Sequence, residues 1–262
     1  MQEKNRGLGL FTLLIYLFLL GPLVIIAFAS FEPGSALKFP PQGISFKWYQ
    51  HIFEVTMFKT SFITSILVSL AGNLLALLLG LPAAYALSRF QFRGKETLNA
   101  IFISPVLIPG IVLGFTMLKY VIITYHLPIY AALLLGHTVI MLPFIIRVIA
   151  SSLTNFDFAV EEASLSLGGG RLKTFFTVVL PNIKSGIIAA VLIAFLESFN
   201  NVDISVFMTG PGVSTFPIQM LLYVENNFDP TVAAISVLLM LFTAVLMFVI
   251  ERLMGFSYFT KR

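Results

Sequence analysis

The sequence predicts an all-α integral membrane protein with six transmembrane helices, and three observations predict it. Of 262 residues, 58% are hydrophobic and 11% charged, against about 25% charged in a soluble domain, and mean hydropathy is +0.97. Six apolar segments each reach the roughly 20 residues that cross a bilayer as a helix. The basic residues sort by side. With the N-terminus inside and the spans alternating, twelve of the sixteen Lys and Arg fall inside and four (Lys38, Lys47, Lys59 and Lys119) outside. The positive-inside rule then places both termini in the cytoplasm.

Taken in order, the first span covers about residues 8–31, after Lys4 and Arg6. Its apolar run is too long for a signal-peptide core, and no convincing cleavage site follows, so it reads as a retained anchor. Residues 32–55 are polar, broken by Pro33, Gly34, Pro40, Pro41 and Gly43, with Phe46, Trp48, Tyr49 and Phe53 as an interfacial aromatic cluster. The second span, about 57–87, carries Gly72, Gly80 and Pro82, which points to close packing and a kink. A short basic loop, 88–95, leads to the third span, about 98–120. Its Pro105, Pro109, Gly110 and Gly114 predict an irregular helix. The fourth span is about 130–150, the fifth about 185–208, and the sixth about 231–254.

Between the fourth and fifth spans, residues 157–181 read DFAVEEASLSLGGGRLKTFFTVVLP. Charges of both signs keep this segment out of lipid. Asp157, Glu161 and Glu162 suit the start of a helix that runs to Leu167. Gly168, Gly169 and Gly170 break it, a second short helix carries Arg171 and Lys173, and Pro181 is expected to break the chain again. Such an element is either an ordinary solvated loop or a handle for a partner protein.

A second polar group lies in the fifth span: Glu197, Ser198, Asn200, Asn201 and Asp203. Acids at membrane depth are costly and point to function. On a continuous helix Glu197, Asn200 and Asn201 share a face. Asp203 would stand roughly 240° from Glu197. These residues either line a solute path or make helix–helix hydrogen bonds, with Asp203 near the outer interface.

Other chemistries find little support. There is no cysteine, which excludes disulfides and thiolate metal sites. His51, His126 and His137 lack metal-ligand spacing, and His137 reads as a hydrogen-bonded packing residue. The run from Gly168 to Thr174 lacks the Gly-Lys-Ser/Thr order and preceding strand of a phosphate loop. The net charge of +4 does not signal nucleic-acid binding, since in a membrane protein the placement of charge matters more than its sum. No internal repeat is evident, which argues against transporters built from paired halves.

The loop resembles the EAA loop of permease subunits of binding-protein-dependent ABC importers, patterned as Glu-Ala-Ala, three residues, Gly, nine residues, Ile-x-Leu-Pro. Glu162, Ala163 and Ser164 match the triplet, Gly168 the glycine, and Val178, Leu180 and Pro181 the end. Ser164 and Val178 depart from the pattern. Residues 83–90 (AAYALSRF) and 92–94 (FRG) are also similar to the end of the second span in this superfamily. Residues 198–202 (SFNNV), 209–212 (TGPG) and 216–220 (FPIQM) are similar to its spermidine/putrescine branch. There, acidic residues often stand at the positions of Asn200 and Asn201, and their loss would weaken cation selection. Other relatives handle ferric iron, phosphonates, opines or thiamine-like compounds.

The resemblance implies a type I importer (MetI-like) fold, one permease domain over residues 1–262 with a cytoplasmic coupling loop at 157–181, in a bacterial inner membrane. It implies ATPase coupling through Glu161, Glu162, Ala163, Ser164, Leu165 and Gly168, with Glu162 facing a basic group of the ATPase. The implied partners are a second permease, two cytoplasmic ATPases that hold ATP and Mg, an extracytoplasmic solute-binding protein and membrane lipid, with no nucleic acid. The chain itself would be no enzyme and hold no cofactor or metal. Two alternatives stand beside this reading. One is an autonomous secondary transporter or channel coupled through Glu197 or Asp203. The other is a membrane enzyme, which would need a polar catalytic cluster at one face.

Overall fold

The computed structural model describes residues 6–254. In chain order the helices are α1 (Arg6–Ala29), α2 (Lys47–Glu54), α3 (Thr56–Arg89), α4 (Lys95–Leu107), α5 (Gly110–Met117), α6 (Ile129–Thr154), α7 (Phe158–Ser166), α8 (Arg171–Thr174), α9 (Leu180–Asn182), α10 (Lys184–Phe199), α11 (Phe216–Asn226) and α12 (Thr231–Met254). Leu118–Thr124 and Phe175–Val179 are π-helical, and Ser205–Met208 is a 3-10 turn. Among the described residues the only extended pairing is an isolated bridge of Gly210 with Val213. Lys4, Lys261 and Arg262, used in the orientation argument, lie outside the described residues.

Four helices are long and apolar enough to cross a membrane, and the number rises to six if each of two bent pairs is one span. Helices α1, α3, α6 and α12 meet the expected first, second, fourth and sixth spans. The irregular third span is a 95° bend between Lys95–Leu107 and Gly110–Thr124. Ile108, just before Pro109, is extended (φ −86°, ψ 130°), as the proline ring requires of its neighbour. The fifth span differs from expectation. It does not continue to Met208, because α10 stops at Phe199. The break expected at Pro181 also moves. Pro181 sits in the first turn of α9, where its missing N–H is no loss. The 73° bend falls between Asn182 and Lys184.

The chain divides into two compact units. One comprises Met1–Lys59 and Met220–Leu246. Its loop after α1 closes around Glu32, which is fully buried. The Glu32 carboxylate accepts the backbone N–H of Gln42 (2.8 Å) and of Gly34 (2.9 Å). These two bonds hold its pKa below the ordinary carboxylate value. Trp48 Nε1 donates to the Glu32 carbonyl at 2.8 Å. Phe46 and Tyr49 pack on Phe31, so these members of the expected aromatic cluster support the loop, while Phe53 is exposed. Asp229 caps α12 by accepting Thr231 N–H at 2.9 Å, and its other oxygen accepts the Tyr223 hydroxyl.

The other unit comprises Thr60–Gln219 and Met247–Arg262. Helix α6 is its centre. Met141, Ile145, Ile146, Ile149 and Leu153 are buried against Ala76, Ala84 and Leu87 of α3 and Ala190 and Ala194 of α10. Small residues on α3 and α10 let the helices approach the large side chains of α6 closely. A second cluster joins Leu113 of α5, Ala132, Leu133 and Ile140 of α6, and Ile204 and Met208 beyond α10.

Candidate functional site

The α7 segment is built from its ends inward. Asp157 caps the helix by accepting Ala159 N–H at 2.9 Å. At the other end Gly168 adopts φ +88°, a conformation that costs a side-chain-bearing residue about 1–2 kcal/mol. Its N–H bonds to Leu165 O, and that of Gly169 to Ser164 O, both at 3.0 Å. A Cβ on Gly169 would stand 2.7 Å from Ser164 O and 2.8 Å from Thr174 Oγ1. The turn therefore needs glycine twice, once for backbone angle and once for space. Ser164, where the EAA pattern has alanine, hydrogen-bonds Thr174 at 3.0 Å and ties α7 to α8.

The two glutamates of α7 differ sharply. Glu161 is buried at 7% exposure. Its carboxylate accepts the Tyr85 hydroxyl, and its second oxygen faces Arg89 Nε at 3.4 Å without a hydrogen bond. Glu162 is exposed, yet Arg89 Nη2 donates to it at 2.7 Å. The guanidinium also covers the Phe158 ring at 5.1 Å. Tyr85 is fixed edge-on to Phe175, centroids 5.0 Å apart. Glu162 thus has an ion-pair partner within this chain, which the EAA resemblance did not supply. Leu165 lines a cavity of about 350 Å³ beside this junction, together with Tyr85, Arg89, Glu161, Arg171 and Phe175. Leu167 (89% exposed), Leu172 and Phe176 present apolar surface around it.

The fifth-span polar residues do not share one helical face. Helix α10 ends at Phe199 and Asn200 is its C-cap. Asn200 Nδ2 donates back to Leu196 O at 3.0 Å. Asn201 lies past the helix and accepts Ile204 N–H at 3.0 Å. The angle between Asp203 and Glu197 expected from a continuous helix therefore does not apply. Asp203 lies against the start of α5, where a Cβ on Gly110 would stand 2.6 Å from its Cβ. The start of α5, just after its break from α4, packs on this carboxylate, which stands four residues past the end of α10. Glu197 and Asp203 are both exposed. Neither has a hydrogen-bond or ion-pair partner among the described residues.

Behind α10 runs a buried hydrogen-bond chain whose direction can be deduced. Ser205 gives its hydroxyl proton to the Asn201 carbonyl (2.9 Å). It must then accept from His137 Nε2–H at 3.1 Å. Nδ1 of the neutral ring accepts from Ser198 at 2.8 Å, and Ser198 accepts from Ser69 at 2.9 Å. His137 is a hydrogen-bonded packing residue, as expected. Asn73 adds a further tie from α3, donating to Val191 O of α10 at 2.6 Å. Sequence reasoning assigned no role to Tyr85, Arg89, Ser69 or Asn73. For the first two the only signal was their place in the AAYALSRF motif.

Comparison with known proteins agrees with this architecture. Residues 72–257 match the family described as binding-protein-dependent transport system inner membrane component. The chain is 28% identical over 235 residues to the putrescine transport system permease protein PotI of Escherichia coli, covering 87% of this chain and 83% of the relative. It is 26% identical to the spermidine/putrescine permease protein PotC of Haemophilus influenzae, covering 90% of this chain and 91% of the relative. Among solved structures, a bacterial ABC transporter for the acidic polysaccharide alginate matches 96% of this chain and 98% of its own, with TM-score 0.74 and 19% identity. The MetNI methionine ABC transporter matches 77% of this chain and 96% of its own, with TM-score 0.63 and 19% identity. With the family match spanning most of the chain and a helical fold shared with ABC importers, this protein belongs to the inner-membrane permease components of binding-protein-dependent ABC importers.

Proposed function

We propose that this permease carries a small cationic solute of the polyamine type inward, and takes its energy from ATPase subunits that dock on α7. The carrying observation is the helix–glycine–helix element from Asp157 to Thr174. Its first helix is capped by Asp157 and closed by the Gly168 turn, and exposed Leu167, Leu172 and Phe176 flank it. In this reading Glu161, Glu162, Ala163, Ser164, Leu165 and Gly168 form the coupling element on the cytoplasmic side, where the positive-inside rule also puts both termini. ATP and Mg sit on two separate ATPase subunits, and the chain hydrolyses nothing itself. A second permease completes the solute path, and an extracytoplasmic binding protein delivers the solute.

The solute class rests on two supports. Relatives are named for putrescine and spermidine. Glu197 and Asp203 are exposed acids without partners, near the broken ends of α5 and α10. A cation brought there would meet negative charge that no side chain among the described residues neutralises. Asn200 and Asn201 serve as backbone caps, so the acids on either side of them carry the charge recognition.

The test is co-purification followed by uptake. The chain, expressed with its neighbouring genes and extracted in mild detergent, is expected to retain an ATPase. Glu162→Lys and Gly168→Val are expected to release it. Reconstituted vesicles should accumulate putrescine or spermidine only with ATP inside. Absence of any bound ATPase while the chain remains folded would overturn the coupling reading. Normal ATP-driven uptake of a different solute class would overturn the polyamine assignment alone.

A further inference from the structure

Movement at α7 has two routes to the solute end of the unit. One follows the chain through α8 and α9 into α10. That route is interrupted by the Gly168 turn and again by the 73° bend before Lys184. The other leaves the chain sideways. Arg89 and Tyr85, at the end of α3, grip both carboxylates of α7. Helix α3, one helix with Pro82 inside it, then leads back to Asn73 and Ser69, which bond Val191 O and Ser198 of α10. Twenty residues separate Ser69 from Arg89, about 30 Å of helix. Ser198 directly follows Glu197 and hands the contact on to His137.

We infer that α3 is the transmission element of this permease, with Arg89 the positioning residue that fastens it to α7. This rests on the reading that α7 receives the ATPase. The side chains support the sideways route physically. Arg89 is held by three groups at once: the Glu161 carboxylate, the Glu162 carboxylate and the Phe158 ring. A guanidinium fork matches carboxylates with fixed geometry, which an ammonium does not. At the other end both ties from α3 are buried side chains, Ser69 and Asn73. Displacement of α7 therefore pulls α3, and α3 moves the backbone next to Glu197. The α8–α9 route instead changes direction at Gly168 and again before Lys184.

The test uses the intact complex with its partner permease and ATPases in nanodiscs. The chain has no cysteine, so spin labels can be placed at Leu107→Cys and Val202→Cys alone, both exposed positions. Their distance distribution is measured with and without ATP under conditions that block hydrolysis. In the otherwise unchanged chain ATP is expected to shift the distribution. Arg89→Gln is expected to keep the ATPase bound yet reduce the shift at least fivefold. Arg89→Lys should restore part of it. Asn73→Leu breaks the other end without touching α7, and is expected to reduce the shift similarly even if Arg89→Gln fails to assemble. A full shift in Asn73→Leu, or in an assembled Arg89→Gln complex, would overturn the α3 route and leave the coupling reading intact. No shift in the unchanged chain, or no bound ATPase, would sink the coupling reading and the route with it.

Discussion

The α3–α7 junction and the end of α10 both carry acidic side chains, but in opposite electrical states. At the junction each carboxylate already has a cation or a hydroxyl from this chain. Near the end of α10, Glu197 and Asp203 have neither among the described residues. Close behind them Ser69, Ser198, His137 and Ser205 pair with one another. The difference teaches how to separate holding from binding in a membrane protein. Where polar groups satisfy one another, they hold helices in place. Where acids have no partner among the described residues, as on this well-held scaffold, they form the proposed site for charge from outside.

The comparison is broken hardest at His137. His137→Ala removes a buried ring and strands Ser198 and Ser205. It should lower unfolding stability by about 2–4 kcal/mol, seen as a drop of several degrees in the melting temperature of the detergent-solubilised complex. An unchanged melting temperature would mean that the chain of hydroxyls holds nothing. Next comes the unsatisfied side. Asp203→Asn should raise the KM for a cationic solute about tenfold, equivalent to roughly 1.4 kcal/mol, with little change in melting temperature. Glu197→Gln should act in the same direction. Normal transport kinetics in either variant would remove that acid from the solute path. A smaller effect is expected of Ser164→Ala, which loses the bond to Thr174. It should cost under about 1 kcal/mol and show as faster amide exchange in residues 164–174.

The smallest effect concerns Glu32, paired like the junction acids but by backbone N–H groups. Its folded-state pKa lies below its ordinary value of 4.5. Its contribution to stability is therefore complete above about pH 4.5 and is lost as pH falls through the lower folded value. Thermal melts from pH 6 downward should show a loss in the native chain that is absent in Glu32→Gln. Parallel melting curves for the two would deny Glu32 that role.

The sequence was most legible where structure is local. The α7 helix could be read from Asp157 to Leu167 because its cap, its first-turn acids and its glycine stop lie within fourteen residues. Four spans could be read because burial in lipid needs only length and composition. The end of α10 could not. Residues 200–208 remain fairly apolar, and hydropathy does not register whether Asn201 continues a helix or caps the next turn. Arg89 was legible as part of a motif but not as the partner of Glu162, because seventy-three residues separate them. Pro181 misled for the converse reason. Proline breaks a helix interior, but Pro181 follows a π-helical stretch and falls in the first turn of α9.

Gly110 has a consequence for how such a permease could change its cargo. The Asp203 carboxylate occupies space that any side chain at position 110 would claim. Its location is set by a hydrogen atom on a neighbouring helix. Gly110→Ala would push the charge aside without altering it. Under the proposed solute path, solute choice could thus be retuned from the α5 backbone, leaving every acid in the sequence unchanged.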